Sequence, residues 1–130
     1  SLEGSETIAT LLPLCSFFIN IPYGPAKELN KKGIAIALAT DYNPGSTPSG
    51  NMQLVQSAAC VNMKLTPIEA FNASTINAAA AINESKNLGS ITIGKKANLL
   101  LTKKMPSLGF MAYNFGHNHI AKVYLNGKEQ

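Results

Sequence analysis

Residues 34–41, IAIALATD, are apolar on both alternating faces until their last two positions. A strand with one wet face alternates apolar and polar side chains, so this one must be covered on both sides. Sheets covered on both sides are parallel sheets flanked by helices. The residues just before it fit that requirement. Pro25 suits a first helical turn, residues 27–32 are polar, and Gly33 suits a C-terminal cap. The expectation is an α/β architecture in which a short helix feeds a buried parallel strand.

The flanking segments extend this pattern. Residues 7–19, TIATLLPLCSFFI, are nearly all apolar and are broken by Pro13, which predicts a buried strand or two short elements. After a Gly/Pro/Ser loop, Met52, Val55, Ala59 and Met63 recur at helical spacing. Next, Thr66 at an N-cap, Pro67 at the first helical position and Glu69 three residues after the cap form a capping box. Residues 76–83, INAAAAIN, continue as a short helix ending near 87–89. Beyond Leu88 the period returns to two. Residues 89–104 predict a short strand, a turn at Gly94 and a second apolar strand; residues 119–130 predict a final strand with an Asn126-Gly127 turn. A boundary near Leu88 then divides the chain into residues 1–87 and 88–130.

Composition narrows the function classes. At 130 residues and 13.8 kDa the chain suits one domain or a piece of a larger one. The formal charge is +4, yet all eleven cations are scattered lysines, which form no basic stripe or arginine fork. No nucleic-acid partner is expected. No apolar run approaches the roughly 18 to 20 residues that span a bilayer, and the first residues lack a signal-peptide pattern. The reading is a soluble, cytoplasmic protein. Cys15 and Cys60 have neither a CxxC spacing nor a third partner, which predicts buried free thiols.

Asp41 is the sole aspartate, and it stands where the buried strand gives way to NPGSTPSGN. In parallel α/β sheets chemistry gathers at the carboxyl ends of strands. A carboxylate there is partly desolvated and needs a hydrogen bond, an ion pair or a metal. Two readings stay open on pattern alone: Asp41 caps the following turn through its own side chain, or it serves a ligand. His117 and His119 share one strand face if extended, but two ligands do not make a metal site.

ALATDYNPGSTPSGN, with MKLTPIEAFNASTINAAAAI and LGSITIGKKANLLL, resembles the C-terminal part of the imidazolonepropionase family within the amidohydrolase superfamily. The resemblance covers nearly the whole chain; the A-T-D-x-N-P-G-S segment is its specific part. It implies a distorted (β/α)8 TIM-type barrel with a small β-sandwich, of which this chain holds the last barrel strands, their helices and the C-terminal sandwich strands. The implied reaction is hydrolysis of the small molecule 4-imidazolone-5-propanoate to N-formimidoyl-L-glutamate, in histidine degradation, with one Zn or Fe ion. By the same resemblance Asp41 ligates the metal and accepts a proton from the attacking water. Asn43 and Gly45 match positions that contact substrate or product, and Ser46 matches one that holds the propanoate end.

The departures set limits on what the chain does alone. The superfamily's H-x-H pair and its further histidine lie upstream of this aspartate, and no histidine precedes Asp41 here. His117 and His119 follow it, so no ligand role passes to them. Ser1 stands where the family has a catalytic histidine before Leu-Glu, and Asn98 stands where relatives often carry aspartate. The expectation is a truncated C-terminal part, inactive by itself, whose cut barrel edge promotes homo-oligomer formation. Two alternatives accompany it: another metal-dependent amidohydrolase, such as a cyclic amidase or deaminase, and a small anion-binding module using residues 43–51.

Overall fold

The computed structural model describes residues 2–130; Ser1, compared above with a family histidine, lies outside the described residues. Strand β2 (Ile36–Leu38) is buried at every position, as a two-faced apolar run requires. Strand β1 (Ala9–Leu11) lies parallel to it, pairing Ala9 with Ile36 and Leu11 with Leu38. Residues 7–19 therefore resolve into two short elements, because Pro13 ends the strand and opens helix α1 (Pro13–Phe18). β1 is half-buried where a buried strand was the alternative. Helix α2 (Ala26–Lys31) completes the connection, with Pro25 as its N-cap and Gly33 at φ +70° behind its end.

Helix α3 (Met52–Asn62) turns Val55, Ala59 and, just past its end, Met63 inward, where all three are buried. These pack with Leu14, Ile36, Leu38, Leu65, Ala70 and Ala73 into one core. Alanines at the helix contacts let backbones approach closely, so the core is built more from proximity than from large side chains. Helix α4 (Pro67–Ser74) begins with the capping box: Thr66 Oγ1 accepts from the Glu69 amide, and the Glu69 carboxylate accepts from the Thr66 amide. Helix α5 (Ile76–Ala81) follows, and Asn77 Nδ2 donates to the Ile36 carbonyl at 2.8 Å. Ala35 and Ala39 make the neighbouring ladder bonds to β1, so the Ile36 carbonyl faces the opposite edge of β2. A helix side chain thus occupies part of the edge that the sequence leaves open.

A second, antiparallel sheet is built from β3 (Leu99–Thr102), β4 (Ile120–Leu125) and β5 (Lys128–Glu129), in that order. Its last turn is Asn126-Gly127, both with positive φ, and Asn98 Oδ1 accepts from the Asn126 amide at 2.8 Å. Asn98 therefore does locally what an aspartate would do there. Helix α6 (Leu108–Tyr113), which the sequence pattern did not bring out, lies between β3 and β4; it buries Met111 and packs on α3 and α4. Ser107 caps it, accepting from the Phe110 amide.

Two expectations are corrected here. Residues 90–93 form no strand: Ile91 and Ile93 are 90% and 103% exposed, since alternation supplies faces but not a neighbouring backbone to pair with. The second apolar strand expected here is present as β3, with Leu100 and Leu101, on its opposite faces, both exposed. Cys15 and Cys60 are free yet half-buried. Burial, and then the Glu69 charge, push the Cys60 thiol up, which keeps it protonated.

The closest polar knot joins α2 to α4. Lys27 Nζ lies 2.7 Å from Glu69 Oε2, and Asn30 Nδ2 donates to Oε1 at 3.3 Å. The Lys27 hydrogen bond, and then the Thr66 amide, hold the Glu69 carboxyl down at about 2 against an ordinary 4.5. A depressed carboxylate stabilises the fold above its ordinary value and loses that contribution as pH falls towards 2. Because the pair is partly solvated, its worth is about 1 kcal/mol together with the cap. E69Q should therefore be less stable than the parent near pH 6, with the gap closing as pH falls below 4.5. Urea unfolding across that range checks this; a gap independent of pH contradicts it.

Gly89 offers a second test of packing. Its φ is +89°, and a Cβ there would sit 2.7 Å from Ala79 Cβ and 3.1 Å from the Thr75 carbonyl oxygen. Gly94 has φ +92° with open space around it. G94A carries only backbone strain, about 1 kcal/mol, whereas G89A adds a clash against α5 and should cost about 3 kcal/mol or more. Equal losses in thermal unfolding would contradict the packing argument.

Candidate active site

The site grows from the end of β2. Ala39 donates the last ladder bond, to the Leu11 carbonyl at 3.2 Å, and the next two residues are half-buried. Asp41 then turns into the left-handed region at φ +52°, a conformation that aspartate tolerates better than most residues. Tyr42 is exposed, and the chain folds back so that the Asn43 amide donates to the Thr47 carbonyl at 3.1 Å. Residues 48–50 lead to Asn51, whose Oδ1 caps α3 by accepting from the Gln53 and Leu54 amides.

One side chain organises this loop. Asn43 Nδ2 donates to the Asp41 carbonyl at 2.6 Å and to Ser46 Oγ at 3.0 Å. Asn43 Oδ1 accepts from the Gly45 amide at 2.9 Å and the Ser46 amide at 2.8 Å. A carboxamide has two donor hydrogens and two acceptor lone pairs, so these four bonds engage all of them, and Oδ1 also accepts a longer bond from Ser46 Oγ at 3.3 Å. Gly45 is close to the ring, since a Cβ there would sit 3.3 Å from Asn43 Oδ1. Thr47 is buried, and its Oγ1 has no partner among the described residues.

The structure brings Asp41, Asn43, Gly45 and Ser46 into one loop, but joins Asp41 to the others only through its backbone carbonyl. The turn after the strand is an Asx-turn made by Asn43, so the capping role considered for Asp41 belongs to Asn43 instead. Among the described residues the Asp41 carboxylate makes no hydrogen bond or ion pair. An anion cradle at residues 43–51 is disfavoured for the same reason: the amides of Gly45 and Ser46 are already spent on Asn43. The Ser46 hydroxyl accepts a hydrogen bond from Nδ2 at 3.0 Å and donates a longer one to Oδ1 at 3.3 Å.

Among the described residues of this loop, Asp41 is the one carboxylate. The free Asp41 carboxylate at a strand exit suits a Zn or Fe ion as a single ligand. Among the described residues no group of three or more His, Cys, Asp or Glu side chains could hold such an ion. His119 is instead tied into the packing beside α6. It is buried, its ring packs edge-on against Phe110, and its Nε2 donates to the Asn114 carbonyl at 3.2 Å. Its amide donates to Gln53 Oε1 on α3 at 3.0 Å, a link across 66 residues that no local pattern reveals. His117 is exposed. No helix among the described residues is long and apolar enough to cross a membrane.

Comparison with known proteins gives the chain a family. The chain is 55% identical over 127 residues to an imidazolonepropionase of Christiangramia forsetii, covering 98% of this chain and 31% of that protein. It is 54% identical over 128 residues to an imidazolonepropionase of Flavobacterium johnsoniae, with the same coverage of both chains. The chain thus spans about a third of the curated relatives it matches. Among solved structures it superposes on a zinc-bound adenosine deaminase from Xanthomonas campestris with a TM-score of 0.82 at 20% identity, covering 94% of this chain and 31% of the other. For an Escherichia coli guanine deaminase the TM-score is 0.79 at 16% identity, with 98% and 34% coverage. At those identities the likeness is one of fold. Residues 23–129 match the Amidohydrolase family, and the chain belongs to it.

Proposed function

We propose that this chain forms the C-terminal part of an imidazolonepropionase, which opens the ring of 4-imidazolone-5-propanoate by hydrolysis to give N-formimidoyl-L-glutamate. One observation carries the reading: the 55% identity to such an enzyme runs through the loop that leaves the Asp41 carboxylate free at the exit of a buried strand. In this reading residues 1–87 supply the last strands and helices of a (β/α)8 barrel and residues 88–130 supply sandwich strands. The exposed apolar side chains Phe17, Val61, Ile91 and Ile93 pack against the remainder of that enzyme. The whole enzyme is a cytoplasmic homo-oligomer acting on a small molecule.

The chain's residues divide the work by chemistry. One Zn or Fe ion, when bound, supplies Lewis acidity towards the cyclic amide and the attacking water. Asp41 contributes one oxygen ligand and, as a carboxylate beside the reacting atoms, takes the proton that the water gives up. Ser46 exchanges its long 3.3 Å bond to Asn43 Oδ1 for one to the propanoate carboxylate, a charge-assisted bond stronger than one between neutral groups. Asn43 and Gly45 line the same edge, and the Asn43 ring keeps the Gly45 backbone in place.

In the full-length metalloenzyme, D41A should lower kcat/KM for ring opening by on the order of 10³-fold and reduce bound metal. Steady-state assay with elemental analysis checks both. Ring opening at the unmodified rate would overturn the proposal. The 130-residue chain alone, with one carboxylate facing the site, should show no measurable turnover.

A further inference from the structure

We propose that Gln53 is a positioning residue, whose carboxamide latches the first turn of α3 to the entry of β4 and so fixes the far end of the loop that follows Asp41. The inference rests on the reading above and adds to it a residue from outside that loop. Gln53 Oε1 accepts from the His119 amide at 3.0 Å, and Gln53 Nε2 donates to Asn118 Oδ1 at 3.2 Å. One side chain thus pairs with two successive residues, using an acceptor and a donor together, immediately before β4 begins at Ile120.

Both sides of the latch are themselves held. Asn118 Oδ1 also accepts from the Ile120 amide at 2.9 Å, so turning its carboxamide over would lose both bonds. Lys103 grips the same two residues from the end of β3: its Nζ donates to the Asn118 carbonyl at 3.0 Å and its amide to the His119 carbonyl at 2.8 Å. On the α3 side, the Gln53 amide donates to Asn51 Oδ1 at 3.0 Å, and the Gln53 carbonyl accepts from Ser57 Oγ at 3.0 Å. Gln53 is therefore one of the two residues that the Asn51 cap holds and also the residue that reaches the small sheet.

The two ends of the site loop differ in what fixes them. Its start leaves β2, which is buried at every position. At its finish each of residues 48–54 is exposed or half-buried, and Val55 is the first buried residue of α3. That stretch takes its place from polar bonds, the Asn51 cap and the Gln53 latch, more than from apolar burial. Release of the latch lets the finish of the loop drift while β2 still holds Asp41. The effect then falls on substrate binding, with the chemical step spared.

The test is steady-state kinetics of imidazolone ring opening in the full-length, metal-loaded enzyme, well below the unfolding temperature of each variant, with Q53M, N118A, N118D and Q53M/N118A. Methionine keeps the reach of glutamine without its polar atoms. Q53M should raise KM by about three- to tenfold, the value of one net hydrogen bond, and leave kcat and bound metal within about twofold of the parent. N118A should do the same, and the double variant should exceed the KM of Q53M by no more than about twofold, because both substitutions break one link. N118D keeps an oxygen for Gln53 Nε2 and the Ile120 amide, and its KM should stay within about twofold of the parent. Amide hydrogen exchange over residues 49–54 should quicken in Q53M and N118A but not in N118D.

A Q53M enzyme with the parent's KM would overturn the proposal even if it unfolds at a lower temperature, since Gln53 would then serve packing alone. Unaltered exchange, KM effects that multiply in the double variant, or N118D behaving as N118A would overturn it equally. If Q53M fails to fold by circular dichroism, the contrast between N118A and N118D decides. A parent enzyme that opens no imidazolone ring would sink the functional reading and this inference with it. Ring opening by the parent with no change in KM for Q53M would sink the inference alone.

Discussion

Burial of β2 on both faces is the constraint from which the remaining features follow. A three-residue strand with no wet side must have helices against it, and α4 and α5 supply them, while Val55 and Ala59 of α3 complete the same core. Its hydrogen-bonding edges are served too, by β1 on one side and by the Asn77 carboxamide on the other. Because the strand cannot shift without exposing Ile36 or Leu38, the residue that follows it is held in a fixed place. Asp41 owes its position to that rigidity. In the proposed reading, function sits just beyond a strand buried on both faces.

The loop after Asp41 solves a different problem. A carboxylate placed at a strand exit is of use only if its direction is set, and setting it with its own hydrogen bonds would consume it. The Asn43 carboxamide bonds to the Asp41 carbonyl, and the carboxylate oxygens are left unclaimed by the described residues. The separation of roles resembles that of metal sites, where outer partners orient the groups that bind.

Legibility in the sequence followed the range of the interactions. The capping box at Thr66, Pro67 and Glu69, the Gly33 helix end and the Asn126-Gly127 turn are set by neighbours within four residues, and all three were readable. The strand at 36–38 was readable because apolarity on both faces has one common cause. Residues 90–93 misled because alternation implies a strand only if a partner backbone is present. Helix α6 escaped notice: six residues with a glycine and two aromatics carry little helical signal, although Ser107 before Leu108 and Met111 hints at it. The tie between Gln53 and His119 spans 66 residues and leaves no local trace. At the site, Asn-Pro-Gly after Asp41 signals an Asx-turn, but spacing alone did not reveal which of the two side chains, Asp41 or Asn43, makes it.

The central claim is that the free carboxylate at the exit of β2 grips a cation. Anomalous diffraction from crystals of the full-length, metal-loaded enzyme tests it most directly. The account predicts an Asp41 carboxylate oxygen about 2.0–2.2 Å from the metal. A metal bound by other residues, with the Asp41 oxygens beyond about 4 Å, would contradict it.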